Sequence, residues 1–516
     1  MKNRIYIPAF LLISGILTSC EGKMDFDPYA QTPQQEFWQT EDDATSAVVA
    51  CYGKLCDWPF FEPTTFALEE MASGNTAKGS TPDDQPDLDK IVNFQFTPSM
   101  TIFDTFWKSR YGVINVCNQA ITNIGNMSID ETKKASLIGE ARFIRAWIYF
   151  ELVRTFGEVV VYDGLPANND YNIAKSSIPE VYSFIEKDLE YGIKNLPLAA
   201  WSADMKGRVT SWAAKALLAK VKMYEASGAN FMEDGQTING TTWQDVKDLT
   251  DDVIAHGIYS LYDKDGEASF FNLFRIENEN CDESILEAQC GASKLAGGVN
   301  RSAYAVYQWV RGGSFAGWGF NVPTDQLIAD WETRTDDGIR YKASIAYRGE
   351  VLPDGRTING TETLSGTKAG TAGYKPARYN FKVYVPEDDE TGLGGWMTSI
   401  EQNPRLFRYA DVLLIDAEAE FNLSNIGEAV KSINKVRNRA YATPYTEENL
   451  TKQLIWDERR FELAFENDRF FDLVRTGQAK TALASQGFVS PKNNFYPIPQ
   501  NQIDLSYGVL IQNKNY

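Results

Sequence analysis

The chain has a single histidine, His256, in 516 residues. That scarcity excludes metal centres built from several imidazoles. It also makes any Ser-His-Asp triad depend on one side chain, set in the ordinary helix-end stretch DDVIAHGIY. Cysteine is scarce as well. Five cysteines follow Cys20: Cys51, Cys56, Cys117, Cys281 and Cys290. An odd number in so long a chain is not a disulfide scaffold. A Cys281–Cys290 bridge is open to an oxidising compartment, and buried thiols are the expectation for most of the five. Basic charge is in deficit, with 50 Lys and Arg against 70 Asp and Glu. So acidic a surface argues against nucleic acid and anionic lipid as partners. Beyond the N-terminus no uncharged apolar run reaches the roughly 18 residues of a membrane span.

What is present begins at that N-terminus. Lys2 and Arg4 precede a mostly apolar run, Ile5 to Leu17, that is too short to span a bilayer stably. It ends in Leu17-Thr18-Ser19-Cys20, which resembles a bacterial lipobox. On this reading residues 1–19 are an export signal and the Cys20 thiol is acylated. Each methylene that the acyl chains bury then contributes roughly 0.8 kcal/mol to membrane attachment. The polar stretch EGKMDFDP that follows is a tether.

Helical signals fill the first and last parts of the mature chain. Thr40 and Asp43 form a capping box ahead of DDATSAVVACYGKL. Residues 104–126 carry apolar residues at helical spacing. Ser128 and Glu131 predict the cap of a helix that stops at Gly157, and 179–195 and 210–227 form another pair. Past 405, RLFRYADVLLIDAEAEFNL pairs with GEAVKSINKVRNRA, and one long helix is expected over about 447–476. Broad apolar stripes with short connections build helical-hairpin solenoids, although no strict 34-residue consensus repeats. Residues 290–400 are rich in glycine, turn formers and tryptophan (Trp309, Trp318, Trp331 and Trp396). EDGQTINGT (233–241) and PDGRTINGT (353–361) read as surface hairpins. The expected architecture is mainly α. A degenerate tetratricopeptide-like helical-hairpin scaffold (37–230 and 405–480) carries inserted loops and β-hairpins over about 231–400.

Five blocks carry a family resemblance: GEARFIRAWIYFELVRTFG (139–157), GWGFNVPTDQLIADWE (317–332), RLFRYADVLLIDAEAEF with INKVRNRA (405–440), ERRFELAFENDRFFDLVRTG (458–477) and FYPIPQNQI (495–503). In this order they resemble the SusD/RagB family of bacterial surface lipoproteins, through nearly the whole mature chain. The resemblance implies a helical scaffold with a loop-built ligand face and an outer-membrane, surface-exposed lipid anchor. It implies a partner TonB-dependent transporter of the SusC type and a captured glycan. It assigns no ligand contact by position. Glu458, Glu462 and Arg469 read as an ion-pair lattice worth tenths of a kcal/mol per exposed pair.

Sugars stack their C–H faces on aromatic rings and take forked hydrogen bonds from Asn, Asp or Arg. Two stretches offer both. CDWPFFEP supplies Trp58 and Phe61, and Asn75 follows in ASGNTAKGS. NRSAYAVYQWVRGGSFAGW supplies Tyr304, Tyr307, Trp309, Arg311 and Trp318, with Trp309 and Arg311 the leading pair. The acidic loop DDQPDLD (83–89) reads as solvated, and no metal or cofactor is expected. Capture of a peptide is the alternative to a glycan, and a two-carboxylate glycoside hydrolase is the enzymatic one.

Overall fold

The computed structural model describes residues 37–80, 83–166, 171–290, 303–312, 315–358, 378–392 and 398–516. Cys20, the Ile5–Leu17 run and Trp396 lie outside these residues.

The helices form where their caps and patterns place them. Thr40 Oγ1 accepts the Asp43 N–H while Asp43 accepts the Thr40 N–H at 2.8 Å, and Glu41–Gly53 starts there. The next expected cap is displaced. Asp130, rather than Ser128, accepts the Lys133 N–H at 2.8 Å and opens Glu131–Phe156. A carboxylate at that point also complements the helix dipole. Glu131–Phe156 packs on Thr101–Asn126 and on Ile178–Asn195. Ser211–Ala226 continues the row and Trp243–His256 extends it. Tyr409–Asn422 and Ile426–Arg439 pair across a turn in which Ser424 takes φ 65°. Tyr409–Asn422 also lies on Trp243–His256, which joins the C-terminal pair to the row. The architecture is mainly helical, a succession of packed helical hairpins. Among the described residues no helix is long and apolar enough to cross a membrane.

Glu131–Phe156 carries no simple apolar stripe, because it is buried on every side from Leu137 onward. Its charged residues are therefore paired inside the protein. Arg145 bonds Asp188 at 2.7 Å, Glu151 accepts from Arg110 at 2.9 Å, and Glu140 accepts from Arg208 at 2.7 Å.

The expected long helix at 447–476 is two helices, Lys452–Glu462 and Arg469–Arg475. Phe465 and Asn467 adopt φ of 68° and 64° between them. The break buries Phe465 against Leu327, Trp331 and Phe461, and it turns the Phe465 carbonyl toward the Tyr304 hydroxyl.

Strands are short and come in antiparallel pairs among the described residues. β1 (Thr76–Gly79) pairs with β5 (Phe320–Pro323), and β2 (Ser284–Glu287) with β10 (Arg405–Arg408). β3 (Arg311–Gly312) pairs with β4 (Phe315–Ala316). β6 (Ile345–Tyr347) pairs with β7 (Arg378–Asn380), and β8 (Glu390–Gly392) with β9 (Thr398–Ile400). The described part of the second predicted hairpin closes, with Val351 bridging Thr357 around Gly355. The first does not. Asn239 donates to Glu225 at 2.9 Å and to the Pro179 carbonyl, so 233–241 folds onto the helices as turns.

Candidate functional site

Two distant segments bring three aromatic rings together. The Lys54–Cys56 turn ends at Asp57, which accepts from Lys54 at 2.5 Å, and half-buried Trp58 opens the next turn. Helix Ala303–Gln308 presents Tyr307, and the loop after β4 returns with half-buried Trp318. The ring centroids of Trp58 lie 5.7 Å from Tyr307 and 5.8 Å from Trp318, and Tyr307 lies 4.6 Å from Trp318. Burial raises the pKa of the Tyr307 hydroxyl, and the Glu62 and Asp84 carboxylates raise it further.

Backbone contacts fix this arrangement. The Trp318 N–H donates to the Val306 carbonyl at 2.8 Å, and the Gly319 N–H to that of Trp309 at 2.9 Å. A Cβ on Gly317 would stand 2.2 Å from the Trp309 carbonyl oxygen, so only glycine permits so close an approach. Gly79 is under the same constraint against Gly319, at φ 70°.

A polar edge runs beside the rings. Arg311 donates to Asp84 at 2.6 Å and to the Ser80 hydroxyl, and Ser80 in turn donates to Asp84 at 2.8 Å. Arg311 and Asp84 keep about a third of their side chains in solvent, at 37% and 34%. A planar donor fork and a carboxylate acceptor thus stand next to flat apolar faces. Sequence reasoning missed Asp84, Ser80 and Glu62. The DDQPDLD loop is not merely solvated, since its Asp84 holds Arg311.

Of the expected contacts, Trp58, Trp318 and Arg311 come together with solvent access, and Tyr307 forms the floor at 5% exposure. The other four are corrected as exposed residues. Trp309 is fully buried and stacks on Phe381 with an interplanar angle of 7°. Phe61 is enclosed between Phe60 and Tyr304. Tyr304 is buried with its hydroxyl on the Phe465 carbonyl. Asn75 donates to Glu70 at 3.2 Å and accepts from Arg460 at 2.9 Å in the interior. Downstream of Trp309, Gly317 serves close backbone packing rather than a free loop.

A separate groove of about 450 Å³ is lined by Trp107, Tyr111, Asn115, Tyr162, Tyr171 and Gln502 among others, and it shares no residue with the ring cluster. Asp251, Asp416 and Glu420 lie within 4.8 Å of one another. Lys247 already bridges Asp251 and Glu420, and Asp416 accepts from Thr250 and Ser432 while burial pushes it up to about 6. A lysine ammonium thus already neutralises two of the three carboxylates. His256 is exposed and bonds Asp252 one turn back at 2.9 Å.

Comparison with known proteins agrees with this fold. A profile described as "SusD family" matches residues 262–516. One described as "Starch-binding associating with outer membrane" matches 57–223. "SusD-like protein P25" of Formosa agariphila is 26% identical, with 92% of this chain and 90% of that protein covered. A "SusD-like protein" of Bacteroides ovatus is also 26% identical, covering 92% and 82%. The solved structure of a "Laminarin binding SusD-like protein" superposes with a TM-score of 0.74 at 27% identity, covering 93% of this chain and all of that one. With both profiles matching in succession along one helical fold, the chain belongs to the SusD/RagB family.

Proposed function

We propose that the protein is a non-catalytic, glycan-binding lipoprotein of the outer cell surface. It captures an oligo- or polysaccharide on the Trp58, Tyr307 and Trp318 face and delivers it to a TonB-dependent transporter of the SusC type. The acylated residue is Cys20. The observation that carries the reading is the three-ring cluster flanked by half-exposed Arg311 and Asp84. Two indole edges and faces offer area to a pyranose ring at low entropic cost, and the Arg–Asp pair can exchange one partner for sugar hydroxyls. The similarity to a laminarin-binding relative supports the ligand class. Against catalysis stands the chemistry of the conspicuous carboxylates. A glycosidase needs one carboxylic acid able to give a proton. Glu458 and Glu462, at the centre of the most charged block, are both held ionised by arginines.

Isothermal titration of the soluble form with neutral oligosaccharides, laminari-oligosaccharides among them, tests the reading. The expected result is saturable binding without release of reducing ends. Binding of peptides in place of sugars, or turnover of the glycan by pure protein, would overturn it.

A further inference from the structure

Two cysteines far apart in sequence meet at the turn that precedes Trp58. Cys56 Sγ and Cys290 Sγ are 3.2 Å apart, across 234 residues of chain. We propose that Cys56 and Cys290 are a disulfide-forming pair that closes against an external disulfide while the exported chain folds, before the core encloses both thiols.

Both side chains are enclosed in the main core, at 1% and 7% exposure. Each is held by its surroundings. Cys56 ends the Lys54–Cys56 turn, two residues before Trp58. The Cys290 N–H donates to Asn403 Oδ1 at 2.6 Å, and Asn403 is fixed in turn by Glu279 at 2.7 Å and Glu287 at 3.0 Å. A disulfide needs the sulfurs at about 2.05 Å, so they must approach by roughly 1.2 Å, within reach of side-chain rotation.

The other thiols are placed differently. Cys281 packs against Tyr262, Phe270, Leu273, Phe274 and Ala343, a small cluster distinct from the main core that holds Cys56 and Cys290. The Cys281–Cys290 bridge that the sequence leaves open is not made in this structure, where both are thiols. Cys51 directs its thiol to the Ala47 carbonyl of its own helix at 3.4 Å and neighbours Cys117, whose thiol burial pushes up and Cys51 raises further.

The chemistry is ordinary exchange. One cysteine thiolate attacks the external disulfide and expels one thiolate. The second cysteine thiolate then attacks the mixed disulfide and expels the other. Two electrons pass to the external disulfide, and the two protons of the cysteines leave on the two thiols released. The bond would tie the turn before Trp58 to Cys290, which Asn403 already holds. It would anchor the Trp58 segment in advance of binding, a consequence that rests on the proposed function.

The test is a peptide map. The reduced, exported chain is refolded with oxidised glutathione, then denatured, treated with iodoacetamide without reductant, digested and analysed by mass. The expected result is one cross-linked species joining the Cys56 and Cys290 peptides, with Cys281 alkylated. Reductant should lower the thermal midpoint of this protein and leave that of a Cys56→Ser, Cys290→Ser double variant unmoved. Alkylation of both Cys56 and Cys290, or a link from either to another cysteine, would overturn the proposal. Glycan titration is read separately: a linked protein that binds no glycan defeats the reading of the site and leaves the bond standing.

Discussion

Glu458 and Glu462 share one guanidinium. Arg340 Nη1 lies 2.7 Å from Glu458 Oε1 and 2.9 Å from Glu462 Oε2, and all three side chains are fully buried. Arg334 and Arg437 complete the shell of Glu458 at 2.5 and 2.6 Å. Arg408 at 2.6 Å and Arg439 complete that of Glu462. Burial alone would raise both carboxyls. The surrounding arginines outweigh it and hold Glu462 far below the usual carboxylate range.

This lattice is therefore not a set of exposed pairs worth tenths of a kcal/mol. Removing one member strands a buried charge, which costs about 3–5 kcal/mol. Arg340→Met is expected to destabilise the protein by that amount in urea denaturation at neutral pH. A loss below about 1 kcal/mol would mean the lattice behaves like a solvated surface.

Glu70 behaves in the opposite way. It is fully buried, and burial pushes it up to about 7 despite the hydrogen bond from Asn75. A carboxyl raised in the folded state binds its proton more tightly there than in the unfolded chain. Its contribution is fully present below the unfolded value of about 4.5 and is lost as pH rises through about 7. Glu70→Gln keeps an acceptor for Asn75 and removes the titration. At pH 8 the variant should exceed the parent in stability by up to about 3 kcal/mol, with the gap closing by pH 4 to 5. Denaturation midpoints across that range, parent against variant, check it. A constant difference would assign the effect to packing.

The two tryptophans of one segment should respond differently to truncation. Trp318 is half-buried at the cluster, and Trp309 is enclosed by Phe315, Phe381 and Tyr384. Trp318→Ala is expected to lose more than ~1 kcal/mol of glycan affinity with its thermal midpoint close to the parent's. Trp309→Ala should instead lose about 3–5 kcal/mol of stability. Calorimetry of both variants with and without oligosaccharide separates the cases. An unfolded Trp318→Ala, or a stable Trp309→Ala with weakened binding, would reverse the assignment.

Local signals carried most of the fold. The Thr40–Asp43 capping box and the stop at Gly157 are each decided within a few residues, and the structure has both. Errors arose where distant contacts decide. Nothing near Phe465 announces a break, because its cause is the pocket formed by Leu327, Trp331 and Phe461. Trp58, Trp318 and Arg311 were legible as residue types suited to binding. Their partners were not, since Asp84 reaches Arg311 from 227 residues away. The glycines that follow Arg311 resemble a loose loop in sequence, yet Gly317 is there to let two backbones touch.

At Gly317 a methyl group would sit 2.2 Å from the Trp309 oxygen and 2.7 Å from that of Val310, both backbone atoms that cannot rotate away. The chain must therefore move at Gly317. The next residue, Trp318, hangs on a single N–H bond to Val306. Gly317→Ala should displace the Trp318 ring from Tyr307 and Trp58 while the distant helical hairpins stay packed. The expected outcome is a loss of glycan affinity comparable with that of Trp318→Ala, with the far-ultraviolet circular dichroism unchanged. Trp318→Ala in the Gly317→Ala background should then add little, because the ring it removes has already left the site. Full additivity of the two losses would show that the close approach at Gly317 does not position Trp318.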